Sequence, residues 1–484
     1  MIVNPADFRN RTAVLPILIV NKRNEENSEQ QQRCEMFQKL KFFSLKRKSM
    51  TSFQVIIVSF LGMILLGTFL LMLPVSSRER CVTPFSDALF TAVSSTCVTG
   101  LIVKDTATYW SLFGQMIIIT LIQIGGMGVI TIALAIMMAS GKKIGLWYRS
   151  TMQESISAPQ VGGILRMTGF ILRTSAIIEL TGAALLAPVF IKDFGFARGL
   201  WYSIFHSISA FCNAGFDLMG LREPFSSLTT YSRNVYLNIV IMLLIVTGGI
   251  GFLVWSDIGT YRNNLKRYSL QSKVVLLTSL ILIVLPAIYF FLWEYRGMAF
   301  GDRMLNSVFQ SVTTRTAGFN TQDLSQMDES GTAIMIFLML IGGSPGSTAG
   351  GMKTATFAVL FLSAITVFSR RNDVQCFKRR ISDETVRNAG AILFMYLVLF
   401  FTSGIIISKI EKLPLLTCLF ETGSAIGTVE LTLGITGSLS TISKVILMAL
   451  MFFGRVGGLT LIYAALPSAD SRNSRMPLEK ISVG

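Results

Sequence analysis

The sequence predicts an all-α integral membrane protein, a fourfold repeat of helix, re-entrant pore helix with filter loop, and helix around one central pore. Three observations predict this fold class. Apolar residues make up 51% of the 484 residues and charged residues only 14%. Long apolar runs come in pairs, and each pair encloses a shorter semi-polar stretch. A soluble domain carries about 25% charged residues, so the composition excludes a disordered chain, a nucleic-acid-binding array and most soluble enzymes.

The long apolar runs are long enough to cross a bilayer, which takes about 20 residues of helix. Four runs open a repeat and four close it. The eight predicted spans are 52–73, 109–140, 164–191, 234–257, 272–294, 332–369, 388–409 and 439–466. The stretches inside the pairs are too short to cross, and they re-enter the membrane only if other protein surrounds them. These four stretches are 84–97, 199–213, 302–315 and 414–427.

Basic residues set the predicted orientation, because Lys and Arg collect in cytoplasmic loops. The loops between pairs carry Lys142 and Lys143, then Lys266 and Arg267, then a run that begins at Arg370. We therefore expect a multi-pass membrane protein with both termini in the cytoplasm. The predicted segments are an N-terminal extension (1–50), four repeats (51–141, 142–258, 259–372 and 373–467) and a C-terminal tail (468–484).

The short stretches share two landmarks in the same order, which indicates an internal repeat. A phenylalanine stands in each stretch, at Phe90, Phe205, Phe309 and Phe420. Nine or ten residues later come Gly100, Gly215, Gly318 and, in the fourth copy, Glu430. A glycine cluster follows in the second span of each repeat, beginning at Gly125, Gly248, Gly342 and Gly454.

This arrangement suits a cation pathway. Four re-entrant half-helices can aim their partly negative C-terminal ends at a central cavity. The loop after each half-helix can turn backbone carbonyls inward, where they replace the water shell of a cation. Glycine fits such a loop because it reaches backbone angles that are closed to other residues.

The motifs resemble those of the Trk/Ktr/HKT superfamily of potassium transporters, most closely the bacterial Ktr membrane subunits of the KtrB/KtrD type. The likeness covers roughly residues 50–466. It rests on four segments, SerThrCysValThrGlyLeu (95–101), IleSerAlaPheCysAsnAlaGlyPheAsp (208–217), ValThrThrArgThrAlaGlyPheAsnThr (312–321) and the glycine-rich segment 341–353.

The resemblance implies potassium uptake through a gated, four-loop filter, with sodium as a candidate modulator and no covalent cofactor. It places potassium at the filter glycines Gly100, Gly215 and Gly318. The implied filter residues are Thr99, Gly100, Asn213, Ala214, Gly215, Ala317, Gly318, Val429 and Glu430. The resemblance further implies a homodimer on a cytosolic, nucleotide-binding regulatory ring of the KtrA/KtrC type. No nucleic-acid partner is expected.

The fourth filter departs from the family pattern, because Glu430 stands where the family has glycine. Its carboxylate has three possible effects in a filter: tight cation binding that slows exit, relaxed selectivity, or distortion of the loop. The alternative is a side chain that points away from the pore into water.

Residues 342–354 interrupt the second span of the third repeat with a glycine-rich and proline-containing sequence that no regular helix accommodates. At membrane depth such backbone lines a cavity or packs in protein. The segment resembles the family's gating loop, and Arg455 matches its pore-facing arginine, an electrostatic barrier. The implied gate residues are Gly342, Gly343, Ser344, Gly346, Ser347, Thr348, Gly350, Gly351, Lys353 and Arg455. The alternatives are a kinked helix and an arginine paired with Glu179 or Glu421.

For Glu179 and Glu421 we expect a structural role, as hydrogen-bonded partners of nearby backbone or of Arg315. His206, the single histidine, is expected to be a packing residue. The chain carries no metal triad and no nucleophile or phosphate-loop motif, so it is not expected to be an enzyme. Besides potassium uptake, two functions stay open: an impaired or weakly selective monovalent-cation paralogue, and a secondary transporter of a small solute.

Overall fold

The computed structural model describes residues 51–140, 144–155 and 162–465. The predicted N-terminal extension (1–50) and C-terminal tail (468–484) lie outside the described residues, as do Lys142 and Lys143. The order of elements follows the predicted repeat four times over.

Each repeat opens with a long apolar helix. Each of these helices is at least 20 residues long, enough to cross the roughly 30 Å of a bilayer core. They are α1 (Ser52–Met72), α6 (Ile164–Phe194), α10 (Leu270–Tyr289) and α14 (Asp383–Glu411). A π-helical turn, Phe290–Glu294, extends α10. The four predicted opening spans are confirmed.

A shorter helix follows in every repeat. These half-helices are α2 (Phe85–Cys97), α7 (Phe196–Phe211), α11 (Phe300–Thr313) and α15 (Leu415–Gly427). The repeat phenylalanine is fully buried in all four copies, at 0% exposure for Phe90, Phe205, Phe309 and Phe420. Burying one such ring contributes about 1.5–3 kcal/mol. The phenylalanine therefore anchors each half-helix inside the protein.

The second helix of each repeat is broken, whereas the sequence predicted an interruption only in the third repeat, at residues 342–354. The segments are α3 (Leu112–Met127) with α4 (Val129–Ala139), α8 (Val235–Gly249) with α9 (Phe252–Tyr261), α12 (Glu329–Leu340) with α13 (Thr354–Phe368), and α16 (Thr441–Val456) with α17 (Gly458–Ala465). Three pairs bend by 92°, 96° and 93°. The fourth pair is separated by residues 341–353.

In three of the four clusters one glycine makes the bend. Gly128, Gly251 and Gly457 have φ angles of 88°, 95° and 90° with ψ between 128° and 146°. Only glycine takes this conformation without strain. The glycine clusters therefore turn the chain within the predicted closing spans of repeats one, two and four, and the sequence analysis did not predict these three bends.

The remaining elements connect the repeats. Helix α5 (Leu146–Ser155) follows the first repeat. A two-stranded antiparallel hairpin between the third and fourth repeats pairs β1 (Gln375–Cys376) with β2 (Arg379–Arg380). Single 3₁₀ turns lie at Pro74–Ser76, Met219–Leu221, Thr229–Tyr231, Leu265–Arg267, Leu324–Gln326 and Thr436–Ser438. The four half-helices point their C-terminal ends into one place, where the candidate site lies.

Candidate functional site

The four loops that follow the half-helices share one backbone conformation. Two residues before the filter position, each loop has a left-handed residue, with φ of 56° at Val98, 56° at Asn213, 72° at Thr316 and 53° at Thr428. The filter position itself has φ of 81° at Gly100, 65° at Gly215, 81° at Gly318 and 78° at Glu430. Left-handed β-branched residues are outliers that cost about 1–3 kcal/mol and cluster at functional sites.

Backbone hydrogen bonds to the ends of the half-helices hold the loops. Each bond runs from a loop N–H back to the carbonyl five residues earlier, as in a Schellman motif. The bonds are Thr99 N to Ser94 O (2.8 Å), Ala214 N to Ser209 O (2.8 Å), Gly318 N to Thr313 O (3.3 Å) and Val429 N to Ser424 O (2.9 Å). Among the described residues, no backbone hydrogen bond reaches the carbonyls of Thr99, Ala214, Ala317 or Val429, which leaves these oxygens available to another partner.

The four loops form one ring. A Cβ atom added to Gly100 would collide with the carbonyl oxygen of Ala214 in the next repeat. The same relation joins Gly215 to the carbonyl of Ala317 and Gly318 to that of Val429. Each filter glycine thus faces a carbonyl of the following repeat, and the absence of a side chain keeps the ring open. The predicted filter residues are brought together in this ring.

The Glu430 side chain extends into the ring. Cβ atoms added to Gly100, Gly215 or Gly318 would each collide with the Glu430 carboxylate. The backbone of Glu430 keeps the conformation of the three glycines, so the loop is not distorted. The alternative in which Glu430 points away from the pore is therefore wrong. Its Oε2 atom is buried and has no hydrogen-bond partner within the described ranges.

Further polar atoms near the ring also lack partners in the part of the chain that the structure describes. Most occupy equivalent positions of different repeats, which separates them from chance packing faults. They are the hydroxyls of Ser94, Ser209, Ser424, Thr99, Thr316 and Thr428 and the Oδ1 atom of Asn213. Unpartnered oxygens at this density suit a path for water and cations. The serine six residues before the filter position recurs in three of the four repeats, and the sequence pattern alone assigned it no role.

A cavity of about 380 Å³ opens on one side of the ring and is here called the mouth. Its lining includes Gly100, Gly318 and Glu430 together with the carboxylates of Asp217 and Asp323. Hydrogen bonds from the hydroxyl and backbone N–H of Ser325 lower the pKa of Asp323 below its usual value. That carboxylate is therefore ionised at neutral pH and attracts cations. The sequence analysis did not single out either aspartate.

Residues 341–353 form an irregular loop, here called the gate loop, so the kinked-helix alternative is wrong. Its backbone N–H groups bond to the glycine clusters of other repeats. The bonds are Ser344 N to Gly249 O (3.0 Å), Thr348 N to Gly248 O (3.3 Å) and Gly351 N to Gly454 O (3.1 Å). These partners satisfy buried backbone groups, as membrane depth requires. The bends in the closing helices thus expose the carbonyls that hold the loop.

The gate loop is tied to the filter by side chains. Thr348 Oγ1 donates to the carbonyl of Phe211 (2.9 Å) and accepts from Asn213 Nδ2 (3.4 Å). Lys353 Nζ donates to the carbonyl of Ala349 (2.7 Å) within the loop. The predicted gate glycines all lie in this loop, at Gly342, Gly343, Gly346, Gly350 and Gly351. The hydroxyl of Ser347 donates to the carbonyl of Ser344 (2.7 Å).

Arg455 reaches across the molecule to backbone carbonyls. Its guanidinium donates to the carbonyl of Thr348 in the gate loop and to those of Gly125 and Gly126 (2.8 Å) in the first repeat. No carboxylate among the described residues pairs with it, so the alternative of an ion pair with Glu179 or Glu421 is wrong. A second cavity is lined by Arg455 and gate-loop residues and shares no lining residue with the mouth.

Glu421 has the predicted structural role. It accepts hydrogen bonds from the backbone N–H of Leu433 (3.2 Å) and from the hydroxyls of Thr432 and Thr436. It therefore fixes the chain that follows the fourth filter position.

Glu179 has a different partner from the one expected. Both of its oxygens accept from Gln123 Nε2, at 2.8 and 3.0 Å, whereas Arg315 donates to Ser279. The expectation of a hydrogen-bonded carboxylate is confirmed, but the predicted backbone or Arg315 partner is wrong.

His206 is a packing residue, as predicted. It is fully buried. Nδ1 lies 2.7 Å from the carbonyl of Tyr202, and Nε2 accepts from Leu218 N (3.3 Å). Both ring nitrogens are thus engaged by backbone.

Comparison with known proteins was made at the level of family, sequence and fold. A family model described as TrkH, cation transport protein, matches residues 30–474. The potassium/sodium uptake protein NtpJ of Enterococcus hirae is 39% identical over 449 residues, covering 90% of this chain and 98% of that protein. The Ktr system potassium uptake protein B of Bacillus subtilis is 38% identical over 439 residues, covering 89% and 96%.

A solved structure shares the fold. The potassium transporter TrkH from Vibrio parahaemolyticus matches with a TM-score of 0.69 at 18% identity, covering 87% of this chain and 86% of that chain. The predicted fold class, an all-α membrane protein with re-entrant pore helices, is confirmed by this likeness.

Proposed function

The chain belongs to the TrkH family of cation transport proteins, and from that premise we propose that it mediates potassium uptake across the plasma membrane. The ion passes through one pore, formed by the four filter loops of a single chain. The protein is a multi-pass membrane protein and a transporter, not an enzyme. Its relatives are named for the uptake of potassium, or of potassium and sodium.

The observation that carries the proposal is the conformation shared by the four filter loops. Because their N–H groups bond back to the half-helices, the carbonyls of Thr99, Ala214, Ala317 and Val429 are available to a cation. Such carbonyls replace the hydration shell of potassium. The negative ends of the four half-helix dipoles point to the same place and favour a cation there. We assign the potassium site to Gly100, Gly215 and Gly318 with these carbonyls.

The gate consists of the gate loop and Arg455. The loop lines the second cavity, which shares no lining residue with the mouth, and the guanidinium of Arg455 places a positive charge beside it. A positive charge in a narrow pore opposes the passage of cations. Movement of the loop away from the carbonyls of Gly248, Gly249 and Gly454 would open the path.

The mouth faces the outside and the gate faces the cytoplasm. Support comes from the basic loops between repeats, which by the positive-inside rule are cytoplasmic along with both termini. The protein works as a homodimer on a cytosolic nucleotide-binding ring, an assembly implied by its likeness to Ktr membrane subunits. Sodium stimulates or accompanies transport, as the printed name of the Enterococcus relative suggests.

One observation favours a second candidate, a weakly selective or impaired monovalent-cation transporter. Glu430 replaces a glycine in the ring and sends its carboxylate among the other three loops. A carboxylate binds cations by charge rather than by a fitted carbonyl cage, so it weakens discrimination between potassium and sodium.

Potassium flux into proteoliposomes, with sodium as competitor, tests both candidates. The wild type is compared with Glu430→Gly, and Glu329→Gln serves as the control because Glu329 is exposed and lies outside the mouth lining. We expect selective potassium flux in the wild type and in the control.

Each outcome decides between the candidates. Unselective or negligible flux that Glu430→Gly converts into selective potassium flux supports the second candidate. If neither protein passes any monovalent cation, the proposed pore is refuted and transport of a small solute becomes the better hypothesis.

A further inference from the structure

We propose that the filter ring contains a binding site for a divalent cation of the calcium class, in which Glu430 supplies the one side-chain ligand. Occupation of the site from the mouth blocks the passage of monovalent cations. The ligand set is a structural inference, whereas the block rests on the proposed function.

The Glu430 carboxylate has no positively charged partner among the described residues. Oε2 of Glu430 is buried and accepts no hydrogen bond from the described residues. The five ion pairs found among those residues do not include Glu430. Buried carboxylates in proteins are paired or coordinate a metal. Arg455 does not serve as the partner, because backbone carbonyls occupy its guanidinium. Glu430 also lines the mouth, so a cation that enters there from solution can act as the partner of the carboxylate.

Glu421 differs from Glu430 in its hydrogen bonding. Glu421 lies nine residues earlier on the same repeat and is fully buried, and three hydrogen bonds satisfy its two oxygens. One of those bonds is direct backbone support from Leu433. The chain thus satisfies both oxygens of Glu421 and leaves the buried Oε2 atom of the half-buried Glu430 without a hydrogen-bond partner among the described residues.

The atoms that surround the Glu430 carboxylate in the ring are backbone carbonyl oxygens. The carbonyl oxygens of Ala214, Ala317 and Val429 lie at the positions where the Glu430 side chain approaches the three glycines. Together with the carboxylate they form an all-oxygen set from the second, third and fourth loops. Ca²⁺ accepts 6–8 such oxygens at about 2.3–2.6 Å in flexible geometry, whereas Mg²⁺ demands near-ideal octahedral geometry and dehydrates reluctantly. A ring built from four separate loops suits calcium better.

The Glu430 side chain requires glycine at the filter position of the other three loops. Any Cβ at Gly100, Gly215 or Gly318 would collide with the Glu430 carboxylate. The ring therefore has room for one carboxylate and no further side chain. This is the space that a single charged ligand needs to reach all four loops.

The negative charge at the mouth and in the ring favours a divalent cation over a monovalent one. Asp217 and Asp323 line the mouth outside the ring. Burial raises the pKa of Asp217 to about 7, so Asp323 is the carboxylate that is fully ionised at neutral pH before a cation reaches Glu430. At equal distance a divalent cation gains twice the Coulomb attraction of a monovalent one from each of these charges. Conduction needs binding that is loose enough for exit. A divalent ion held at Glu430 leaves slowly and obstructs the ring.

The test uses the full chain in proteoliposomes, with rubidium as tracer and calcium added on the side of the mouth. We expect calcium to lower the wild-type flux by about tenfold and that of Glu430→Gly or Glu430→Gln by less than about twofold. Magnesium at the same concentration should act more weakly on the wild type. Glu329→Gln, which removes an exposed carboxylate, should keep the full calcium block.

A second readout does not depend on flux. Calcium that binds the folded protein raises its thermal midpoint in detergent. We expect this shift in the wild type and in Glu329→Gln, and its loss in Glu430→Gln, whose side chain keeps the same shape without the charge. Gel filtration of each variant verifies folding.

The outcomes separate the two proposals. If the wild type shows no calcium shift and no calcium block while it carries potassium, the calcium site is refuted and the proposed function stands. If calcium raises the thermal midpoint in a Glu430-dependent way but no monovalent cation passes, the site stands and the proposed function fails. A calcium effect equal in wild type and Glu430→Gln also refutes the site.

Discussion

At the residue scale, Arg455 shows how a charge is tolerated inside the membrane. An arginine at the centre of a span costs about 2.5–3.5 kcal/mol on insertion scales. Here the carbonyls of Thr348, Gly125 and Gly126 receive its protons. The side chain thus joins the gate loop of the third repeat to the glycine cluster of the first. Arg455 thus supplies a positive charge and also links the gate loop to the first repeat by hydrogen bonds. Different substitutions remove these two contributions separately.

We expect Arg455→Gln to raise the resting cation leak by about tenfold, the loss of a barrier near 1.4 kcal/mol. Arg455→Lys keeps the charge but loses the planar fork that reaches several carbonyls at once. If charge restrains the leak, the lysine variant stays close to wild type; if the tie restrains it, lysine behaves as glutamine does. Rubidium efflux from loaded proteoliposomes measures both. A leak in Arg455→Gln no greater than that of the exposed control Lys409→Gln would exclude Arg455 from the gate.

At the element scale, the bends in the closing helices connect the glycine clusters to the gate loop. A continuous helix would keep the carbonyls of Gly248, Gly249 and Gly454 in its own hydrogen bonds. Breaking the helix at a glycine with φ near 90° frees these carbonyls, and the gate loop then bonds to them. The hydropathy of the sequence predicted the span but not the break, because glycine in an apolar run is compatible with both.

Two glycines allow a matched test of the bend: Gly251 directly precedes α9, and Gly259 lies inside it. Gly251 has φ of 95°, and a Cβ there would also press on the carbonyl of Pro345 in the gate loop. Gly259 lies within α9, with open space where a Cβ would stand. We expect Gly251→Ala to destabilise the protein by about 1–3 kcal/mol and Gly259→Ala to stabilise it by about 0.5–1 kcal/mol.

Thermal unfolding in detergent, monitored by loss of monodisperse protein, ranks these two variants. Equal midpoints for Gly251→Ala and Gly259→Ala would show that the bend does not depend on the glycine conformation. A loss of stability in both would point to a general intolerance of side chains in α9.

At the scale of the whole molecule, two native cysteines test the orientation. Cys81 is exposed in the loop after α1, and Cys376 is half-buried in the β1–β2 hairpin between repeats. The proposed topology puts Cys81 outside and Cys376 in the cytoplasm. In single-cysteine variants, a membrane-impermeant maleimide should label Cys81 in intact cells and Cys376 only after permeabilisation.

The rate of labelling adds a dependence on pH. Burial raises the pKa of the Cys376 thiol above its usual value, and the thiolate is the reactive form. A raised pKa leaves less thiolate at neutral pH, so labelling of Cys376 should accelerate as the pH rises toward that pKa. Labelling of Cys376 in intact cells, with Cys81 protected, would reverse the proposed topology.

Much of the architecture was predictable because it depends on local patterns. The opening helices, the half-helices and the buried repeat phenylalanines follow from apolar runs and from landmarks at constant spacing. The filter positions follow from the same repeat. The mouth carboxylates Asp217 and Asp323 were not predictable, since single aspartates in polar loops carry no pattern.

The sequence by itself determined the membrane class, the fourfold repeat and the family, because hydropathy and repeated spacing are properties of short segments. The tertiary structure alone decided where Glu430 points, what Arg455 binds and what Glu179 contacts. These are contacts between repeats: Arg455 and Gly126 lie 329 residues apart in the chain. A side chain selects its partner from the atoms that packing brings within about 3 Å, and sequence spacing gives no measure of that distance.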